Sequence, residues 1–201
     1  MPLKRHLQDV LSAYARIFGE TEAVTAFRLF ANAHDNLTDR GINLAGHLTG
    51  SAIVWHTPSN TILRVYHAKL NRWVFTSGGH VDHGELPWQA SIRELREETG
   101  ITAAPLWDEN LPIPLILDAH PIPVSAKKSE PAHWHYDMVY LYSVDQKPEI
   151  DADPQEVTDT RWVDCCDVTR ENSPVSLVEQ LSKYGPTRFN AHRSSTWLRG
   201  R

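Results

Sequence analysis

The sequence predicts an α/β protein led by a helical hairpin, and three observations carry that prediction. Apolar residues recur every three or four positions through the first thirty residues, the pattern becomes strand-like from Leu48, and a helical stretch over 87–99 follows a glycine pair. A chain of 201 residues sits at the upper end of one ordinary domain, which leaves room for one appended element. The expected division is 1–45 as an N-terminal helical extension packed on the domain, 46–186 as the domain with its C-terminal helix, and 187–201 as a basic, loosely ordered tail.

Leu3, Leu7, Leu11, Tyr14 and Phe18 lie on one stripe, widened by Val10 and Ile17, and Gly19 supplies the stop of a first helix. Thr21 is placed to cap a second, with Glu22 in its first turn and Val24, Phe27 and Phe30 or Ala31 on its apolar face. Asp39-Arg40-Gly41 reads as a turn. Strands follow over 48–56 and 61–67, separated by Pro58-Ser59-Asn60, and a short run over 73–76 leads into Gly78-Gly79. The helix over 87–99 has Pro87 in its first turn, no Gly or Pro inside, and Gly100 at its end. Beyond it come a proline-spaced segment over 111–124, a long aromatic strand from about His133 to Val144, a short strand at Trp162-Val163, and a helix over 175–184 ended by Gly185-Pro186.

Composition excludes several function classes. A hydrophobic fraction of 41% and a charged fraction of 22% are those of a globular protein, not of a low-complexity or collagen-like chain. No apolar run is long enough to cross a bilayer, and the opening residues carry charge with no apolar segment behind it, so the expectation is an uncleaved cytoplasmic protein without a membrane partner. A formal charge of -5 argues against a nucleic acid polymer as partner. Cys165 and Cys166 are adjacent, which disfavours a structural disulfide; they read as small apolar residues packed near a helix start.

One segment stands apart, running from Gly79 to Ile101. Within it Glu94, Glu97 and Glu98 fall at i, i+3 and i+4 and share a helix face, while Trp88, Ile92 and Leu95 share another that is suited to pack on a sheet with the carboxylates outward. Three carboxylates on one face, toward the negative end of the helix dipole, repel one another. Divalent cations relieve that cost, and all-oxygen donors favour Mg2+ or Mn2+ over Zn2+. A solvated acidic face paired through Arg93 and Arg96 is the plainer alternative. The glycine pair, the loop with Asp82 and Gly84, and Glu85 ahead of the helix converge on the same place and favour the metal.

This segment resembles the Nudix hydrolase box, G-x5-E-x7-R-E-U-x-E-E-x-G-U with U aliphatic. Gly79, Glu85, Arg93, Glu94, Leu95, Glu97, Glu98, Gly100 and Ile101 fill every specified position. At average residue usage such a match arises by chance on the order of once in 10⁷ chains. The resemblance implies a Nudix-type α/β/α sandwich with a mixed sheet, and hydrolysis of a diphosphate linkage in a nucleoside diphosphate derivative or related organic pyrophosphate. It implies that Glu94, Glu97 and Glu98 bind divalent ions with help from the carbonyl of Gly78 or Gly79, and that Arg93 braces the loop through Glu85. Two other classes stay in view. A Nudix-fold binding or regulatory module usually lacks one of the metal-binding glutamates, and none is missing here. An isomerase of the isopentenyl diphosphate type needs a catalytic Cys for which the sequence offers no suitable position.

Outside the box, His133, His135 and Asp137 alternate and share one strand face, with Trp134, Tyr136, Met138 and Tyr140 on the other. With Asp118 and His120 they form either a second metal site or a phosphate-binding wall; hydrogen-bonded pocket or surface histidines are the preferred reading. Lys69 and Arg72 are candidates to hold terminal phosphates, and solvated loop cations are the equal alternative. Glu156 matches a region from which some relatives supply a base, and His80 and His83 lie in the loop before the helix; a box glutamate, Glu94 or Glu97, is favoured as base over all three. The signatures of dinucleoside polyphosphate, ADP-ribose, coenzyme A and NADH hydrolases are missing or ambiguous, so the substrate class stays at a small-molecule diphosphate, and the protein is expected to be a monomer or homodimer.

Overall fold

The computed structural model describes residues 3–40, 45–105, 111–125, 130–169 and 175–184; the basic tail over 187–201, like Gly41, Gly185 and Pro186, lies outside the described residues. The elements in chain order are α1 (Leu3–Phe18), α2 (Glu22–Ala33), β1 (His47–His56), β2 (Thr61–His67), β3 (Arg72–Val74), β4 (Ser77–His80), α3 (Pro87–Thr99), β5 (Ala104–Pro105), β6 (Ile116–Ile122), β7 (His133–Val144), β8 (Val157–Asp164) and α4 (Val175–Tyr184). Strand pairing runs β3-β2-β1-β7-β5, with β4 also on β1, β6 on β7 and β8 on β2. The result is an α/β fold with two helices ahead of the sheet. Contacts within the chain fall into two units, the first drawing on 1–51, 78–94 and 112–140 and the second on 52–77, 95–111 and 141–201.

In the first unit, the stripe of α1 buries Leu7, Val10, Leu11 and Tyr14, and Gly19 ends the helix at φ +90. Thr21 caps α2, its Oγ1 accepting from Val24 N at 3.2 Å. The apolar face of α2 then buries Val24, Phe27, Phe30 and Ala31. Phe30 stacks on Tyr136 of β7 at 4.0 Å between centroids and Phe27 meets the same ring edge-on at 5.4 Å, so the hairpin is fastened through one strand face. That leaves His133, His135 and Asp137 on the opposite face. Antiparallel pairing of β6 with β7 runs from Ile116 opposite Val139 to Ile122 opposite His133.

Strand β6 occupies part of the proline-spaced segment over 111–124, to which the sequence assigns no element. Pro121 lies within it, opposite Trp134, and is accommodated because, among the described residues, β6 pairs only with β7 and so needs hydrogen bonds on one side. The first turn of α3 meets β1 at Gly50, where a Cβ would overlap the Pro87 carbonyl and lie 3.1 Å from Ser91 N. The absence of a side chain at Gly50, facing Pro87 and the small Ser91, lets helix and strand backbones approach this closely.

In the second unit, β2 is flanked by β3, by the end of β1 and by β8, whose register from Thr61 opposite Asp164 to His67 opposite Val157 shifts at Tyr66/His67. Strand β8 extends well beyond Trp162-Val163 because its charged residues Asp159 and Arg161 hide its strand character in the sequence. The Arg161 guanidinium lies 3.7 Å over the ring of Trp73 on β3, reaching across β2, which pairs with both strands. Gly100, at φ +70, ends α3, and the last helical carbonyls are satisfied by the following acidic loop: Asp151 N donates to Thr99 O and Asp153 N to Glu98 O, both at 3.1 Å.

Two substitutions test this account by urea denaturation. Gly50→Ala is expected to lower stability by about 1–3 kcal/mol through forced separation of α3 from β1, and Thr21→Ala by about 1 kcal/mol through loss of the α2 cap. A Gly50→Ala protein as stable as the parent would show that the helix does not bear on β1 there.

Candidate active site

The loop between β4 and α3 is a tight turn, with Glu85 N donating to Asp82 O at 3.0 Å and Gly84 at φ +84. Helix α3 then starts with Leu86 N donating to the side chain of Gln89 at 2.9 Å and Pro87 in the first turn, where its missing N–H costs nothing. Arg93, one turn and a half further on, reaches back over this loop. Its Nε and Nη2 donate to the two oxygens of Glu85, each at 3.0 Å, Nη2 also donates to the His80 carbonyl at 3.0 Å, and Nη1 donates to Glu94 Oε1 at 2.7 Å. Glu85 completes the clasp by accepting from Asp82 N at 3.0 Å. Hydrogen bonds to Glu85 first, and then to Glu94, push the already high Arg93 pKa higher still, against the effect of burial. Arg93 is therefore a permanent cation that ties the strand end, the loop and the helix together. Arg40, from the segment before β1, holds the same loop from outside through Asp82 at 2.8 Å.

The three helix carboxylates differ in exposure. Glu94 is half-buried, Glu97 is exposed and Glu98 is only 5% exposed. This corrects the expectation of an outward acidic face opposite a packed Trp88-Ile92-Leu95 face. Leu95 is buried, but Trp88 and Ile92 are only half-buried, and the inward stripe runs through Pro87, Ala90, Ser91, Leu95 and Glu98. The reason is the contact at Gly50, which turns the small residues of α3 inward and carries Glu98, two turns later, in with them. Gly79 lies against Glu94 so closely that a Cβ there would overlap the carboxylate and sit 2.5 Å from its Cδ. A glycine at this position thus lets the backbone pass directly beside the carboxylate.

The first unit gathers histidines from separate elements. His47 opens β1, His80 ends β4, His133 and His135 lie on β7, and His120 lies on β6 opposite His135. Ring centroids of His47 stand 4.7 Å from His80, 4.8 Å from His135 and 4.9 Å from His133. Burial, with His133 and Arg40 adding to it, lowers the His47 pKa to about 4, and burial with the neighbouring His47 and His80 lowers that of His135 to about 3. Both are neutral at neutral pH. Asp137, on the same face of β7, accepts from Thr49 Oγ1 at 2.9 Å and Ser51 Oγ at 2.8 Å, while desolvation raises its carboxyl pKa. His120 is held by Asp118 at 3.0 Å. Sequence reasoning missed His47; its only signal was a histidine opening an apolar strand.

Of the remaining candidates, Lys69, Arg72, Glu156 and the cysteines lie in the second unit and His83 in the first. Lys69 forms an ion pair with Glu156, and Ala68 N donates to the Glu156 carbonyl at 2.7 Å, so these two act on each other; Arg72 is exposed at the start of β3. His83 is exposed in the loop before α3. Cys165 is half-buried and Cys166 exposed, both free, in a short 3-10 turn capped by Asp164, which corrects the expectation that they pack as apolar residues. Among the described residues no helix is long and apolar enough to cross a membrane.

Comparison with solved structures finds a hydrolase of the NUDIX family from Clostridium perfringens at 23% identity, covering 75% of this chain and 99% of that one with a TM-score of 0.49. The dihydroneopterin triphosphate pyrophosphohydrolase of E. coli is similar at 13% identity, 72% and 92% coverage and a TM-score of 0.42. An Ap4A hydrolase from C. elegans is similar at 17% identity, 73% and 98% coverage and a TM-score of 0.38. No curated protein matches the chain. A family model described as the NUDIX domain matches residues 48–181, from β1 into α4 and across the whole Arg93 clasp, and the chain belongs to the NUDIX family.

Proposed function

We propose that this protein is a Mg2+- or Mn2+-dependent pyrophosphohydrolase that cleaves the diphosphate linkage of a small nucleoside diphosphate derivative or related organic pyrophosphate, acting in the cytoplasm as a monomer or homodimer. Nudix hydrolases in general use divalent ions to hydrolyse pyrophosphate bonds in small molecules. The observation that carries the reading is the placing of Gly79 against the Glu94 carboxylate, with Arg93 clamping Glu85, Glu94 and the strand end around it. Glu94, Glu97 and Glu98, with the Gly79 carbonyl, would hold the metal. When bound, divalent ions neutralise diphosphate charge and lower the pKa of coordinated water.

The chain's own contributions follow from the contacts. Arg93 fixes the Glu94 carboxylate through Oε1 and, through Glu85, holds the loop that frames it, so that the donors are positioned before substrate arrives. Burial of Glu98 keeps one carboxylate away from bulk water, where its charge acts more strongly than on an exposed face. Glu94 or Glu97 is the base that takes the proton of the attacking water. The Lys69–Glu156 ion pair favours this choice, because a base at Glu156 would first have to leave its lysine. Arg72, Lys69, His80, His133 and His135 are the candidates for contacts to the rest of the substrate.

A panel of nucleoside triphosphates, nucleotide sugars, ADP-ribose and dinucleoside polyphosphates, with phosphate and pyrophosphate release measured with and without Mg2+ or Mn2+, tests this reading. Turnover of at least one member only with metal is expected; a folded protein inactive across the panel would point to a binding module instead. Glu98→Gln is expected to lower kcat by roughly 10³-fold with little loss of stability, since removing a buried negative charge relieves repulsion. Single-turnover rates for Glu94→Gln, Glu97→Gln and Glu156→Gln at saturating metal assign the base: loss of the chemical step in Glu156→Gln alone would place it outside the box.

A further inference from the structure

We propose that His47, His80 and His135 form a second metal site, built from residues other than the α3 carboxylates, that takes a nitrogen-preferring transition-metal dication, Zn2+ foremost. Strands β1, β4 and β7 each deliver one imidazole, and one ring nitrogen from each lies within 4.8 Å of the other two. A point equidistant from atoms at that spacing lies about 2.8 Å from each, so movements of roughly 0.7 Å per ring reach Zn–N bonds of about 2.1 Å.

His47 supplies an independent reason. It is 3% exposed, and its Nε2 has no hydrogen-bond partner although it is sealed from solvent. Its ring is bonded to the backbone of Asp39. A carbonyl accepting from Nδ1–H fixes the tautomer and leaves the lone pair on Nε2, which is the arrangement a ligating histidine has when its other nitrogen is held. A buried acceptor without a donor is costly, and a cation bound at His47 Nε2 removes that cost.

The surroundings fit the same reading. Three imidazoles suit zinc, copper, nickel or iron, whereas Mg2+ prefers oxygen. His133, stacked on His47 at 4.9 Å with Nδ1 bonded to the Pro131 carbonyl at 2.8 Å, and His120, 5.6 Å from His135 and held by Asp118, form the next layer. Three protein ligands leave the fourth position of a tetrahedral site for water or a substrate oxygen. The geometry therefore favours the metal alternative over hydrogen-bonded pocket histidines.

The test uses the full chain stripped with a chelator and titrated with Zn2+ alone or Co2+ alone in excess Mg2+, which occupies carboxylate sites. The expected result is one equivalent bound with a Kd of micromolar or tighter and, for Co2+, visible absorption of four-coordinate intensity. His135→Ala and His80→Gln, checked for folding by circular dichroism, are each expected to weaken binding at least 100-fold, while Glu98→Gln leaves it in place. Absence of Zn2+ and Co2+ binding by the parent protein overturns the proposal, as does loss in Glu98→Gln with retention in the histidine variants. Should a histidine variant fail to fold, the Co2+ spectrum of the parent decides. No substrate enters the measurement, so its failure is separable from failure of the hydrolase reading.

Discussion

The clasp of Arg93 is the interaction on which the candidate site depends. One guanidinium spends its donors on Glu85, Glu94 and the carbonyl of His80, so a strand end, a turn and a helix share a single cation. A lysine could not do this, because only a planar fork presents parallel N–H groups to both oxygens of Glu85 while reaching two further acceptors. The arrangement also resolves an electrostatic conflict. Glu85, Glu94, Glu97 and Glu98 place four negative charges on or beside one short helix, and the fixed positive charge between Glu85 and Glu94 offsets part of their repulsion.

Close backbone approach is the second constraint, and it acts at two glycines with different consequences. At Gly50 the first turn of α3 presses on β1, which sets the rotation of the helix about its axis. That rotation decides that Glu98 is buried and Glu97 exposed, although both were equivalent as members of one acidic face. At Gly79 the missing side chain makes room for the Glu94 carboxylate. A motif glycine and a motif glutamate are thus paired by steric exclusion, and any Cβ at Gly79 would displace the carboxylate from the backbone beside it.

Legibility in the sequence followed the range of the interaction. Helix α3 was readable to its ends because Pro87 and Gly100 punctuate it and nothing between them breaks a helix. The cap at Thr21 and the stop at Gly19 are equally local. Strand β6 was hidden because Pro121 counts against a strand until it is known that one edge needs no partners, which is a property of the sheet. The burial of Glu98 was hidden for a related reason: periodicity says which residues share a face, but the contact at Gly50 says where the face points. Lys69 and Glu156 are 87 positions apart, and no spacing rule announces that they neutralise each other.

The histidines show the same limit with a further lesson about donor chemistry. The alternation of His133, His135 and Asp137 was visible, but a strand offers only one line of side chains, and one line cannot surround an ion. The missing directions come from β1 and β4, and they became evident only when pairing set His47 and His80 beside His135. His80 follows Gly79 directly, so the backbone that passes beside the Glu94 carboxylate also carries the imidazole that meets His47. The Arg93 bond to the His80 carbonyl fixes the peptide at this branch point. Two successive residues of one strand end thus meet groups of different chemistry, a carboxylate at Gly79 and an imidazole at His80.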